Sequence, residues 1–389
     1  MSKTITRWVI VMAVTLTIVL WVTHLQGGQG ERPVQARISG SGMLSADGFE
    51  RAEPGRVFQF PRDHGAHPEY QTEWWYYTGN LQTSEGRRFG YQLTFFRRAL
   101  IPPNQVRQRE SDWAASQVYL AHFTLSDISA NEFNFTERIS RGAAGLAGSV
   151  GEPAYSVWLQ DWSVRQLSDD RYELSARDAA GAITLGMVDE KGPLLQGIQG
   201  YSQKGPQSGN ASYYYSQTRL HSSGTVEVNG EAYEVDGVSW MDHEFSTSAL
   251  AEDQVGWDWF SLQLDNDTEL MLYTIRDQNG QVDPYSQGSL VLAGGEVVPL
   301  SSAEYTIEIL DTWHSPGSGA RYPAQWRITV PSRAIRLDIR PLMAAQELNV
   351  TFTYWEGAVS VTGEVGDVPV AGYGYVELTG YAHSMQGEF

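Results

Sequence analysis

Three stretches of this 389-residue chain set carboxylates among aromatic rings, and one of them adds an imidazole. The densest is Trp240-Met241-Asp242-His243-Glu244-Phe245; Gly256-Trp257-Asp258-Trp259-Phe260 follows it, and Glu73-Trp74-Trp75-Tyr76-Tyr77 lies far upstream. Ionisable groups are seldom buried without partners, and apolar surroundings move their pKa values. A carboxyl or imidazole that titrates near neutrality beside an apolar surface suits proton transfer to or from a small molecule. The stretches nominate His243, Asp258, Glu73 and Asp242 as catalytic candidates. Trp75, Tyr77, Tyr214, Trp240, Trp257, Trp259 and Tyr273 are the candidate aromatic wall of a ligand site.

Each stretch reads as a strand, and in a strand residues two apart share a face. Glu73, Trp75 and Tyr77 then point one way, and Trp74 and Tyr76 the other. His243 shares a face with Met241 and Phe245, while Trp240, Asp242 and Glu244 share the opposite one. His243 is expected to face a cavity, oriented by a carboxylate from another strand, Glu73 or Asp258. The plainer alternative is a core histidine bonded to backbone or carboxylate. Asp242 and Glu244 could equally face solvent or pair with Arg97, Arg219 or Arg276. His64, His67, Glu69 and Glu73 have metal-ligand residue types, but they sit in a loop leading into a strand, and no metal and no cofactor is expected. The chain has no Gly-x-Ser-x-Gly elbow, no phosphate loop and no nucleophile constellation. The connection from Gly192 to Gly209, with Gln196, Tyr201, Gln203 and Lys204, reads as a lid over a cavity mouth or as a surface loop.

The elements that must position these residues are almost all strands. Phe89–Arg97 alternates apolar and polar residues, and similar short runs follow at turn-bounded spacing to Leu378. The chain holds 39 Gly, 13 Trp and 20 Tyr, a profile of turn-rich, aromatic-rich β proteins. The pattern restarts after Phe245. The expected fold is all-β: two tandem lipocalin-like antiparallel barrels or sandwiches, at 57–248 and 249–389. Lys3 and Arg7 precede an apolar run from Trp8 to Val22, so 1–28 is expected to be a signal peptide or membrane anchor, with 29–56 as a linker. The protein is then exported to the periplasm or cell envelope. A net charge of −19 argues against nucleic acid as a partner. Zero cysteines exclude disulfides, thiolate nucleophiles and cysteine zinc sites.

The ordered motifs also carry a resemblance. His67-Pro68-Glu69-Tyr70-Gln71-Thr72-Glu73-Trp74-Trp75-Tyr76-Tyr77-Thr78-Gly79-Asn80-Leu81 opens the set, and Tyr91–Arg97, Tyr119–Phe123, Tyr213–Ser216, Trp240–Glu244 and Gly256–Trp259 continue it. Tyr354-Trp355-Glu356-Gly357 and Gly374–Tyr381 close it. In this the chain resembles the AttH / carotenoid 1,2-hydratase-like family of lipocalin-related proteins, a group that includes predicted secreted hydrolases. The resemblance implies two lipocalin-like barrels meeting along an interface. It implies a hydratase-like reaction: protonation of a double bond gives a tertiary carbocation that water captures. His243 matches the family's histidine after aspartate. The resemblance also places an acid on the strand after Trp257-Asp258-Trp259, near a tyrosine; this chain has Tyr273-Thr274-Ile275-Arg276 there, with no acid before Asp277. The scaffold is similar as well to certain fungal pericyclases. The expected function is binding and acid–base transformation of an apolar, isoprenoid or acyl-type small molecule. The alternatives are a non-catalytic carrier of the cell envelope and, less favoured, a true hydrolase.

Overall fold

The computed structural model describes residues 46–106, 111, 113–247, 250–251 and 253–387. The expected signal or anchor segment, 1–28, and the linker up to residue 45 lie outside the described residues. Residues 46–56 pack against the first sheet. Ala52 is fully buried, and the Tyr213 hydroxyl bonds both the amide and the carbonyl of Glu53.

The strands assemble into two antiparallel sheets, of 13 and 10 strands. In the first, Thr72–Gln82, Arg88–Ala99, Gln117–Asp127 and Glu132–Arg141 step outward to one edge. The chain then crosses to the opposite edge at Ala147–Val150. It steps back through Ser156–Leu159, Trp162–Ser168, Arg171–Arg177, Gly181–Asp189 and Ala211–Val228 to Glu231–Ser246, which pairs with the first strand. The second sheet repeats the plan. Its first strand, Gln254–Leu264, pairs with its last, Val368–Leu378. Each sheet curls around its own apolar core, as tandem lipocalin-like barrels do. Trp75, Tyr91, Phe95, Trp162 and Met241 fill the first, and Phe260, Trp326, Leu337 and Trp355 the second.

Local chemistry sets the register. Asn229 and Gly230 have φ of 53° and 79°, the two left-handed positions of a type I′ turn, so Val228 pairs with Glu231 and the long hairpin follows. A register shift between Gln217 and Leu220 interrupts this hairpin. In that irregular stretch Arg219 reaches Glu269 of the second sheet at 2.6 Å, and Lys191 meets the same carboxylate at 2.8 Å.

The two sheets meet through the outer faces of their central strands. On that contact Tyr76, Tyr214 and Trp240 of the first sheet pack with Trp259, Met271, Tyr273 and Tyr375 of the second. Residues 72–81 and the second half of the last strand, 239–246, are consequently buried on both faces, one inside the first barrel and one against the second sheet.

Candidate functional site

The two faces of these strands hold two different polar clusters. Inside the first barrel, Glu73 is fully buried, and its Oε1 accepts from His67 Nδ1 at 2.7 Å and from His243 Nε2 at 2.8 Å. Its Oε2 accepts from Arg97 Nε at 2.7 Å and from the His67 amide at 2.9 Å. His243 Nδ1 then accepts from the Tyr215 hydroxyl at 2.9 Å, and that hydroxyl lies 2.7 Å from His64 Nδ1. Burial pulls His243 down to about 4 against the pull of Glu73, so the ring is neutral. Burial also lowers His67, but the charge of Glu73 and the hydrogen bonds to Asp63 and Glu73 outweigh it and its pKa is raised. Burial would lift Glu73, yet Arg97 and the two histidines hold it well below the usual carboxylate range.

His67, Glu73 and His243 bring three metal-ligand groups together. Their hydrogen bonds already account for these atoms. The Arg97 guanidinium occupies the cation's place beside Glu73, and a histidine of raised pKa is a poor ligand. The cluster is a buried structural network, with Arg97 Nη1 its one unpartnered atom among those named, that ties residues 62–67 to four strands.

The other face opens into a cleft of about 140 Å³ between the sheets, room for a group the size of a small ring. Trp74, Tyr76, Phe96, Tyr214, Trp257, Trp259, Tyr273 and Ile275 make its apolar wall, and Lys204, Asp242, Glu244 and Glu377 are its charged groups. Asp242 is the most elaborately held. Its Oδ1 accepts from Ser216 Oγ at 2.5 Å and Trp240 Nε1 at 2.7 Å, and its Oδ2 lies 2.5 Å from the Tyr214 hydroxyl. Trp259 Nε1 donates to that hydroxyl at 3.1 Å. Among the described residues no cation pairs with Asp242. Burial pushes it up to about 7 despite those hydrogen bonds. Glu377, bonded by Trp257 Nε1 at 2.8 Å, is pushed up to about 7 by burial and by the charges of Asp242 and Glu244. Lys204 pairs with Glu244 at 3.1 Å and lies 4.0 Å from the centre of the Tyr273 ring. It arrives on the 192–209 connection, whose short strands Leu194–Leu195 and Tyr201–Gln203 pair with Ala211–Val228 and carry it over the cleft.

The expected site residues therefore divide. Asp242, Tyr214, Trp257, Trp259 and Tyr273 line the cleft. Trp240 stands behind it as a donor to Asp242. His243 does not face the cleft: it lies in the barrel interior with Glu73, on the side opposite Asp242. Trp75 and Tyr77 share that interior, bonding the His64 carbonyl and the Tyr155 hydroxyl. Asp258 is not the partner of His243. It sits inside the second barrel, held by Arg276 at 2.9 Å and by Tyr381. The cause in each case is strand alternation with both faces buried. Sequence reasoning passed over Glu377, Glu244 and Lys204 as site residues. Glu377 stands in Tyr375-Val376-Glu377-Leu378, where an acid among apolar residues was the available signal.

Among curated proteins no significant match was found. Among solved structures, an AttH protein from Nitrosomonas europaea is 34% identical, with a TM-score of 0.76 over 86% of this chain and 99% of that one. Kievitone hydratase from Nectria haematococca shares the fold at 14% identity, with a TM-score of 0.65 over 88% of this chain and 98% of that one. CghA does so at 10% identity and a TM-score of 0.51, over 80% of this chain and 89% of that one. The AttH-like family matches residues 51–381, and the chain belongs to that family.

Proposed function

We propose that this protein binds the end of an apolar, unsaturated small molecule of isoprenoid or acyl type in the inter-sheet cleft and adds water to it by acid–base catalysis. The observation that carries the reading is Asp242, a carboxyl without a cation partner among the described residues, set into an aromatic cleft that the ligand would fill. Trp240 Nε1 can only donate, so Oδ1 is an acceptor and the acid proton belongs on Oδ2, beside Tyr214. Transfer of that proton to a double bond leaves Asp242 ionised, and Ser216, Tyr214 and Trp240 then donate to the carboxylate. The positive charge left on carbon meets the faces of Trp74, Trp257 and Trp259, which attract cations. Water captures it and loses a proton. Kievitone hydratase is itself named for a hydration, in keeping with this reading, although the likeness between the two chains is one of fold.

The test is incubation of the full chain with a panel of acyclic isoprenoids and unsaturated acyl compounds in oxygen-labelled water. The expected result is labelled alcohol from wild type, formed roughly 10²–10⁴-fold more slowly by Asp242→Asn. Tight binding of panel members without any labelled product would favour the carrier reading. We propose also that residues 1–28 export the chain to the periplasm or cell envelope, supported by Lys3, Arg7 and the Trp8–Val22 run. A reporter fused after residue 60 should be shielded from cytoplasmic protease in intact cells. Reporter activity in the cytoplasm would overturn this.

A further inference from the structure

Behind the cleft wall lies a second acid that the reaction above does not use. Glu356 is fully buried on Thr353–Val365, and its backbone partner across the hairpin is Glu377. Residues directly opposite on antiparallel strands put their side chains on one face, so two carboxyls stand side by side. Glu356 Oε1 accepts from the Tyr76 hydroxyl at 2.6 Å, and Oε2 has no partner among the described residues. Neither acid has an ion-pair partner among the described residues. The groups around them are Tyr76, Tyr354, Tyr375, Asp242 and Glu244, and the cation of the cleft lining, Lys204, is held by Glu244. Two adjacent ionised carboxylates, one with a bare buried oxygen, would cost far more than a single shared proton.

We propose that Glu356 and Glu377 form a coupled pair that carries a single proton, Glu356 as the neutral acid and Glu377 as the carboxylate, and that Glu377, its member on the cleft wall, is the base that takes the proton from the attacking water. This role rests on the hydration reading, whereas the pair itself does not. The balance is complete. Asp242 gives its proton to one carbon of the double bond. The water oxygen bonds to the other, and the proton it releases goes to Glu377. Return of that proton to Asp242 resets the site, and one water has been added. Burial and the Glu377 charge, which raise Glu356 well above the usual carboxylate range, accord with Glu356 as the resting proton holder.

Infrared difference spectroscopy of the full chain tests the pair without substrate. Wild type at neutral pH should show the carbonyl stretch of a dry, protonated carboxylic acid that Asp242→Asn leaves in place, and Glu356→Gln should remove that band while circular dichroism stays unchanged. A band unaltered by Glu356→Gln, or no such band in wild type, overturns the pair. With a panel compound that is hydrated, Glu377→Gln should lower kcat roughly 10²–10⁴-fold, the range for a lost general base, with KM little changed. In Glu356→Gln the pH profile should show one ionisation in place of the pair's two. Full activity in Glu377→Gln, or no hydration of any panel compound by wild type, overturns the base role. The infrared result still decides whether the pair exists.

Discussion

Asp242 and His243 are adjacent in the chain, and the structure gives them opposite surroundings. Asp242 lines the cleft, and under the hydration reading the proton on its Oδ2 is the one transferred. Asp242→Asn keeps the shape and the Ser216 and Trp240 contacts but has no proton to give. It should lower kcat roughly 10²–10⁴-fold in the labelled-water assay, with the affinity for a neutral fluorophore such as N-phenyl-naphthylamine retained. Undiminished turnover would remove Asp242 from the mechanism. His243 lies in the barrel interior, stacked on Trp75 at 4.9 Å between ring centres and bonded at both nitrogens. His243→Gln should therefore leave fluorophore binding at the cleft in place and lower stability by roughly 1–3 kcal/mol in urea unfolding, for a lost buried hydrogen-bond partner. Unchanged stability with abolished turnover would reverse this assignment.

At the scale of elements, the 192–209 connection decides the charge of the cleft. Lys204 is the cation among the charged groups of its lining, and its pairing with Glu244 at 3.1 Å leaves Asp242 and Glu377 unmatched. Lys204→Met removes a positive charge facing the aromatic wall. The mutant should bind a cationic alkyl probe, dodecyltrimethylammonium, more tightly than wild type, by about 1 kcal/mol, and dodecanol about equally well. Tryptophan fluorescence titration reads both, since Trp257 and Trp259 line the cleft. Equal gains for both probes would mean that the lysine acts by bulk and not by charge. The Thr353–Leu378 hairpin shows how much an element can encode. Gly366 and Asp367 form its turn, and counting back and forward from Val365 and Val368 brings Glu356 opposite Glu377.

For the whole molecule, two groups of acids give opposite pH dependences. Asp63 and Glu73 are depressed in the folded state by their ion pairs and hydrogen bonds, so they stabilise above their unfolded pKa and that stabilisation is lost on acidification. Asp242 and Glu377 rise from 3.8 and 4.5 to about 7. Folding therefore favours their protonated forms; that contribution is complete below the unfolded values and lost as pH climbs through about 7. Thermal stability of wild type should fall between pH 5 and pH 8, and Asp242→Asn should fall less over the same window. Identical slopes for the two proteins would place the Asp242 carboxyl in an ordinary solvated state. The net charge of −19 adds self-repulsion as carboxyls ionise, so added salt should lessen the fall in both.

The sequence by itself determined the strands, because alternation and turn residues such as Asn229-Gly230 are local properties of backbone and side chain. It determined the tandem all-β fold, since two series of short strands with a restart after Phe245 have few other solutions. It also determined which residues share a face: Glu73 with Trp75 and Tyr77, and Asp242 with Glu244. Tertiary structure alone decided which face is the cleft. The cue that separates inside from outside is a polar, solvated side, and residues 72–81 and 239–246 have none, because one face packs in a barrel and the other against the second sheet. Both faces therefore carry aromatics and acids, and only the docking of Trp257, Trp259 and Tyr273 against Trp74, Tyr76 and Tyr214 places the cleft on the side of Asp242, away from His243.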